Sequence, residues 1–368
     1  MIKIHINVDT PYDIYLGAGI LNTLNWTSIF QSYAKRFVVI SDTTVSTLYR
    51  EKLLNLWSEY SPLWLNFEAG EASKTRETKA LLEDQLQEAG VNRDACMIAV
   101  GGGVVCDLAG FLAATYNRGV PVIYIPTTLL AMVDASVGGK TGVNTSLSKN
   151  SIGVFSQPKA IYMDIDFLNT LPDNELQNGL AEILKHSLIR DVKQFERLLK
   201  FRKAHSEESW LLSDKMWLLE TIAESIRIKK EVVVCDEKET GGLRQILNFG
   251  HTIGHAIEQL SGYTVAHGEA VAIGIYLESY LSYCRGYLSW EDFSKIEKAL
   301  KFLKFQLNTP YLSDLNAISN ALSVDKKSTA KEWRMVFLKS IGTVCDNYVR
   351  AFDKADLEKL LTWYRESL

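Results

Sequence analysis

The 368-residue sequence is short of the features that mark several large classes of protein. It has only five cysteines, Cys96, Cys106, Cys235, Cys284 and Cys345, an odd number, widely spread and without a CxxC pair. That excludes a disulfide framework and a zinc ribbon, and it suits a reducing compartment, so a cytoplasmic location is expected. Positive charge is not in excess: 40 Lys and Arg stand against 44 Asp and Glu, a net charge of −4. Proteins that grip a phosphate backbone carry a basic surplus, so no nucleic-acid partner is expected. No apolar run approaches the roughly 20 residues of a membrane-spanning helix, so no membrane partner is expected either. Residues 1–10 read as a short strand, and Lys3, His5 and Asp9 break any signal-like apolar core. Internal repeats and low-complexity linkers are also missing.

What is there reads as an ordinary globular chain, 47% hydrophobic and 23% charged. Its length exceeds what one hydrophobic core usually supports, which implies two domains. Residues 36–41, 63–67, 96–100, 121–125 and 160–163 are short, continuous apolar runs. Between them, residues 43–60, 71–88 and 104–115 carry helical spacing. Continuous apolar strands alternating with helices predict a parallel sheet covered on both faces, with ligands at the strand C-termini. From about residue 166 the texture changes. Helical periodicity dominates residues 175–190, 210–231, 252–260, 269–283 and 290–305, and residues 334–338 give the main strand signal. The expected architecture is an α/β nucleotide-binding domain over residues 1–165, a mostly α-helical domain over residues 166–368, and an active site in the cleft between them.

Gly101, Gly102 and Gly103 end one apolar strand and open a helix. Backbone without Cβ approaches a pyrophosphate closely, and a helix N-terminus offers free N–H groups. Cys106 stands where the strict dinucleotide fingerprint places its last glycine, so the turn alone does not decide between cofactor binding and a tight connection. Gly138, Gly139, Lys140 and Gly142 have the composition of a phosphate loop but not its spacing, which leaves Lys140 as an anion contact rather than part of a nucleotide P-loop.

Histidine is scarce, yet three of six, His251, His255 and His267, fall within seventeen positions and among glycines. His251 and His255 are four apart and share one helical face. Glu182 and His186 repeat that spacing earlier. A catalytic metal of the zinc type wants about three such ligands with one position open. Spacing offers five candidates and does not choose among them. His5 and His205 read as ordinary strand and loop histidines.

Longer motifs make the sequence specific. Gly101–Asp107 with its flanks, the Ala114–Gly119 and Pro126–Thr141 stretches, Gly179–Lys185, Leu247–Glu258 and His267–Gly274 occur in order over roughly residues 35–345 and resemble the 3-dehydroquinate synthase family of sugar-phosphate cyclases. The resemblance implies Glu182, His251 and His267 as metal ligands, with His255 facing substrate. It implies NAD contacts from Asp42, Glu71, Lys74, Gly102, Gly103, Val104, Val105, Cys106, Asp107, Thr127, Thr128, Lys140, Lys149, Phe167, Leu168, Asn169 and Thr170. It further implies substrate or catalytic roles for Arg118, Asp134, Lys140, Asn150, Lys185, Lys229, Arg244, Asn248 and His255, and for Lys326 or Lys327. The residue matching Arg118 reaches the site from the second subunit of a homodimer. Cys106 in place of glycine, the extra residue at Gly241-Gly242, and His186 in place of an aromatic depart from the family pattern.

The implied reaction turns 3-deoxy-D-arabino-heptulosonate 7-phosphate into 3-dehydroquinate and phosphate, a shikimate-pathway step that leads towards the aromatic amino acids. It runs through transient oxidation by NAD, phosphate elimination, re-reduction and an intramolecular aldol closure, aided by a divalent zinc or cobalt ion. A substrate with a phosphate and a carboxylate calls for local cations, and Lys140, Lys185, Lys229 and Arg244 supply them in a chain of negative net charge. The rival expectations are another sugar-phosphate cyclase, a glycerol-dehydrogenase-like polyol dehydrogenase, and a non-catalytic protein on the same scaffold.

Overall fold

The computed structural model describes residues 1–145, 148–207, 209–324 and 332–367. In chain order its strands are β1 (Ile2–Ile6), β2 (Tyr12–Gly17), β3 (Arg36–Asp42), β4 (Leu63–Phe67), β5 (Ala95–Gly101), β6 (Val122–Pro126), β7 (Lys140–Val143), β8 (Ile152–Phe155), β9 (Ala160–Asp164), β10 (Trp333–Ser340) and β11 (Thr343–Phe352). Its helices are α1 (Trp26–Tyr33), α2 (Thr43–Leu56), α3 (Arg76–Glu88), α4 (Gly103–Thr115), α5 (Asp173–Arg190), α6 (Val192–Ala204), α7 (Lys215–Cys235), α8 (His251–Leu260), α9 (His267–Cys284), α10 (Trp290–Phe302), α11 (Leu315–Val324) and α12 (Lys354–Ser367). None is long and apolar enough to cross a membrane among the described residues.

One unit comprises Met1–Pro172 with Lys215–Lys230. Its frame is a seven-stranded sheet in the order β1-β2-β9-β6-β5-β3-β4. Only the β1–β2 pair is antiparallel. The five apolar runs become β3, β4, β5, β6 and β9, because a strand without polar interruption needs both faces covered. β5, β6 and β9 are buried along their whole length. Each fully buried Ile or Val there contributes roughly 1.5–3 kcal/mol. The chain lays β4 to one side of β3, returns to place β5 on the other side, and continues outward through β6. The topological switch therefore lies between the C-terminal ends of β3 and β5, at Asp42 and Gly101, and this is where open α/β sheets hold their ligands.

The second unit comprises Asp173–Asp214 and Glu231–Leu368. Helices α5, α8 and α9 form its centre, and α9 is buried along almost its full length. Glycine makes the α8–α9 approach possible. A Cβ on Gly274 would stand 1.8 Å from the Gly250 carbonyl oxygen, and one on Gly250 would stand 2.7 Å from Ile275 Cγ1. Gly250 also needs its left-handed φ of 79° to start α8.

Some elements differ from the sequence reading. Where the sequence reading divides the chain at residue 165, the first unit runs to Pro172, including the turn Ile165–Thr170, and takes in Lys215–Lys230 as well. β2, the β7–β8 hairpin and β11 carry too little alternation to stand out; β11 mixes exposed and buried positions irregularly and pairs with β10 through register shifts. Helices α1, α6, α11 and α12 are likewise absent from the sequence reading. The single helix read at residues 210–231 is instead a short 3-10 turn, Trp210–Leu212, followed by α7.

A Gly274→Ala substitution tests the close approach. The added methyl meets backbone, which cannot swing aside, so denaturant unfolding should show a loss of about 3 kcal/mol or more. Gly262, which has open space around it and a φ of 60°, should cost only about 1 kcal/mol on the same change. Equal losses at both positions would contradict the packing described.

Candidate metal and nucleotide sites

In the first unit, the glycine turn joins β5 to α4. Gly102 precedes the helix and supplies no side-chain cap, so the first-turn N–H groups of α4 remain available to an anion. The turn is also sterically closed to side chains. A Cβ on Gly101 would lie 2.4 Å from Val105 Cγ2, and one on Gly102 3.0 Å from Thr128 Cγ2. Val105 and Cys106 are buried, so these two side chains serve packing. Burial pushes the Cys106 thiol far above its ordinary range, which leaves it unreactive.

A polar network sits beside this turn. Lys74, only 4% exposed, donates from Nζ to Asp107 Oδ2 and to Asn150 Oδ1, both at 2.5 Å. Burial disfavours its cation, yet the carboxylates of Asp107 and Glu71 outweigh that and raise its pKa. Burial likewise raises the Asp107 carboxyl, and Lys74 opposes it. Asn144 joins the cluster, donating to Glu71 Oε1 at 2.7 Å and accepting from the Asn150 N–H at 3.0 Å. Lys149 Nζ lies 3.9 Å from Glu71 Oε1. The structure thus brings Glu71, Lys74, Asp107, Lys149 and Asn150 together. Sequence reading missed Asn144, whose only signal was its place beside the Gly138–Gly142 stretch.

The other first-unit candidates are more dispersed. Asp42 caps α2, accepting from Val45 N at 2.8 Å, and burial raises its carboxyl. Thr127 is buried, with its N–H bonded to Gly101 O, and Thr128 Oγ1 accepts from Ala131 N. Residues 167–170 lie in the turn that follows β9, where Thr170 bonds to the Tyr49 hydroxyl. Leu168 is buried, whereas Asn169 is exposed and donates to the Asp166 carbonyl. Lys229 pairs with Asp134, Nζ to Oδ1 at 2.8 Å. Lys140 opens β7 and is exposed. Arg118 is also exposed, and with Asn117 it holds a left-handed backbone, φ 67° and 50°.

In the second unit, Glu182 comes from α5, His251 opens α8 and His267 opens α9. Glu182 is completely buried. His251 Nε2 and His267 Nε2 each lie 3.4 Å from Glu182 Oε1, and the three ligand atoms fall within 4.8 Å of one another. The outer nitrogens are oriented as well. His251 Nδ1 is 3.1 Å from the Phe249 carbonyl, and His267 Nδ1 is 3.4 Å from Glu258 Oε2. Outer partners of this kind aim the inner nitrogens at a common point. Two imidazoles and a carboxylate suit zinc and cobalt. The residues present therefore fit a divalent metal. Lys185 Nζ contacts Glu182 Oε2 and is itself buried. His186 is buried on the same helix, and the His255 ring lies 5.2 Å from that of His251 and 6.4 Å from that of His267, against 5.3 Å between the His251 and His267 rings. The three imidazoles thus form one cluster, in which His251 and His267 are the two whose nitrogens lie 3.4 Å from Glu182.

A small cavity of about 80 Å³ is lined by Gln245, Asn248, His251, Thr252, His255 and Arg334 among others. Arg244 lies beside it in sequence, buried, and bonded to the Glu237 carbonyl. Asn248 donates to Glu239 Oε1 at 3.5 Å. A larger cavity of about 530 Å³ between α6 and α10 shares no residue with this chemistry and is mainly apolar, so size is a poor guide here. Lys326 and Lys327 lie outside the described residues.

A mostly parallel sheet with a glycine turn at its switch point, and a helical unit carrying a carboxylate–histidine triad, form the architecture found among sugar-phosphate cyclases. The same fold is seen in 2-epi-5-epi-valiolone synthase from Streptomyces hygroscopicus, solved with NAD+ and Zn2+: 27% identity, a TM-score of 0.87 and complete coverage of both chains. The chain belongs to the 3-dehydroquinate synthase family, matching its N-terminal part over residues 64–178 and its C-terminal part over residues 179–328. It is 40% identical to the 3-dehydroquinate synthase of Thermodesulfovibrio yellowstonii over 96% of this chain and 97% of that protein. It is 39% identical over 95% of its length to the pentafunctional AROM polypeptide of Scheffersomyces stipitis, of which it spans only 24%.

The two triad histidines titrate in opposite directions. Burial, then the Lys185 cation, pushes His251 well below its ordinary value, so it is neutral and ready to ligate. For His267 burial acts the same way, but Glu182 and Glu258 prevail and raise it to about 10. The metal-free site therefore holds a proton on His267 at neutral pH, and a ligand must lose it. Metal binding at pH 7.5 should release about one proton, and affinity should rise about tenfold per pH unit until pH nears that value. Calorimetry in buffers of different ionisation enthalpy measures the release; none at all would contradict the arrangement.

Proposed function

We propose that the chain catalyses the 3-dehydroquinate synthase reaction, converting 3-deoxy-D-arabino-heptulosonate 7-phosphate into 3-dehydroquinate and inorganic phosphate. The observation that carries this reading is the convergence of Glu182, His251 and His267 on one point in a chain of this family. The chemistry supplied by the bound groups is reversible hydride transfer at C5, from NAD, and Lewis-acid polarisation of the substrate hydroxyls, from a divalent zinc or cobalt ion.

The protein's own residues do the rest. Glu182, His251 and His267 hold the metal, with Glu258 and the Phe249 carbonyl fixing the two rings. Lys185 balances the Glu182 carboxylate, so that this charge survives burial. In the first unit the Gly101–Gly103 turn admits the cofactor pyrophosphate, and Glu71, Lys74, Asp107, Asn144 and Lys149 form the polar wall beside it. Asn150, Asp134 and Lys229 contact substrate, as does Lys140, which places a cation on its phosphate. Arg244, Asn248 and His255 bind the carboxylate and hydroxyl groups. His255 and Lys185 hold or pass protons, and the departing phosphate helps remove the proton at C6. Arg118, exposed on its left-handed turn, completes the site of the second subunit of a homodimer. The five free cysteines suit a cytoplasmic setting.

The assay supplies the heptulosonate phosphate, NAD and zinc, and follows phosphate together with absorbance at the NADH wavelength. Phosphate release with no net NADH is expected; net NADH from a plain polyol, without phosphate release, sinks the reading in favour of a dehydrogenase. Glu182→Ala should abolish metal retention, whereas His255→Ala should retain metal and lose about 100-fold or more in kcat. Equal metal loss in the two variants, measured by elemental analysis after desalting, would overturn the ligand assignment.

A further inference from the structure

A further acidic side chain, Glu278, lies among the central helices of the second unit and takes no part in the roles described above. It is completely buried on α9. Its carboxylate faces the start of the neighbouring helix, accepting from the Gly250 N–H at Oε2 (2.8 Å) and the Ile253 N–H at Oε1 (3.1 Å). Gly250 immediately precedes α8 and Ile253 lies in its first turn, where the leading N–H groups have no intrahelical acceptor. Most helices satisfy them with an Asn, Asp, Ser or Thr at the residue before the helix. Here that residue is Gly250, which has no side chain and makes no side-chain cap. Glycine is required there, because any Cβ would run into Ile275 and Val271 of α9. Tight helix packing has removed the local cap, and the helix packed against it provides the substitute. Burial pushes this carboxyl up to about 8 while the backbone N–H groups it meets pull the other way, so the suitability of the side chain lies in its geometry: two oxygens that reach two separate donors at the start of α8.

The position of this cap matters because the first residue of α8 is His251. The Phe249–His251 turn is held from two sides: His251 Nδ1 lies against the Phe249 carbonyl, and Glu278 grips Gly250 and Ile253. Glu278 and His267 ride on the same helix. They are eleven residues apart, about three turns, and so share a face. One helix thus presents His267 directly and fixes the turn that presents His251.

We propose that Glu278 is a positioning residue for the metal centre, a cap supplied in trans that sets the His251 imidazole in ligating geometry relative to His267 and Glu182. It touches neither metal nor substrate and acts through the backbone of residues 250–253. The proposal rests on the reading of Glu182, His251 and His267 as the metal ligands.

The test uses the full chain loaded with Co2+, comparing the parent with Glu278→Gln and Glu278→Ala. Glutamine keeps the shape but offers one acceptor and a donor that faces backbone N–H groups. Expected are weaker cobalt binding, by about tenfold to a hundredfold as for other outer-sphere partners, a changed visible absorption spectrum of the bound ion, and a fall in kcat with little change in KM. A melting temperature shift with unaltered cobalt affinity and spectrum in Glu278→Gln would overturn the proposal and leave an ordinary structural cap. If Glu278→Ala fails to fold, the glutamine variant alone decides. Failure of the ligand reading is distinguishable, because then the parent itself, and not only the variants, would hold no cobalt that Glu182→Ala releases.

Discussion

The second unit is organised around one unfavourable act, the complete burial of the Glu182 carboxylate. Removing such a charge from water costs on the order of several kcal/mol unless cations and donors surround it. Lys185 stands against one of its oxygens, and two histidine nitrogens stand 3.4 Å from the other. Each of these needs its own support. His251 needs the start of α8 fixed, His267 needs Glu258, and both need α9 held against α8 and α5. The close approach of α8 to α9 follows from that requirement. It explains glycine at 250 and 274, where a methyl group would strike backbone or a buried side chain.

The first unit obeys a milder version of the same rule. Lys74 and Asp107 are buried together, and each compensates the cost of the other. Around them Glu71, Asn144, Lys149 and Asn150 complete a network in which nearly every member holds another. It stands next to the glycine turn at the topological switch of the sheet. Preorganised polar groups of this kind bind a charged ligand without having to rearrange.

Much of the fold was legible because its physical cause is local. An apolar run with nothing polar in it, such as residues 96–100, can only be a buried strand or a buried helix, and the flanking glycines settle which. The helices of the second unit that carry the motifs showed clear periodicity. What escaped is what local sequence underdetermines: β2 and β11 are strands whose identity comes from the neighbours they pair with, β9 and β1 for the first and β10 for the second. The single helix read at residues 210–231 divides into a 3-10 turn and α7, because the Trp210–Leu212 turn buries its Trp and Leu in its own unit.

For the site, the sequence by itself determined the inventory: which residue types are present, that the histidines cluster, and that glycines crowd around them. It could not choose three ligands from five, because helical spacing makes His251 and His255 equivalent partners and says nothing about α5 or α9. Packing chose. In the folded chain Glu182 and His267 come to His251 from two other helices, and both histidines set a nitrogen 3.4 Å from the Glu182 carboxylate. Nor could the sequence disclose Asn144 or Glu278, whose partners lie 73 and 28 residues away. Composition and periodicity are properties of neighbours along the chain. A hydrogen bond across helices exists only once the helices have met.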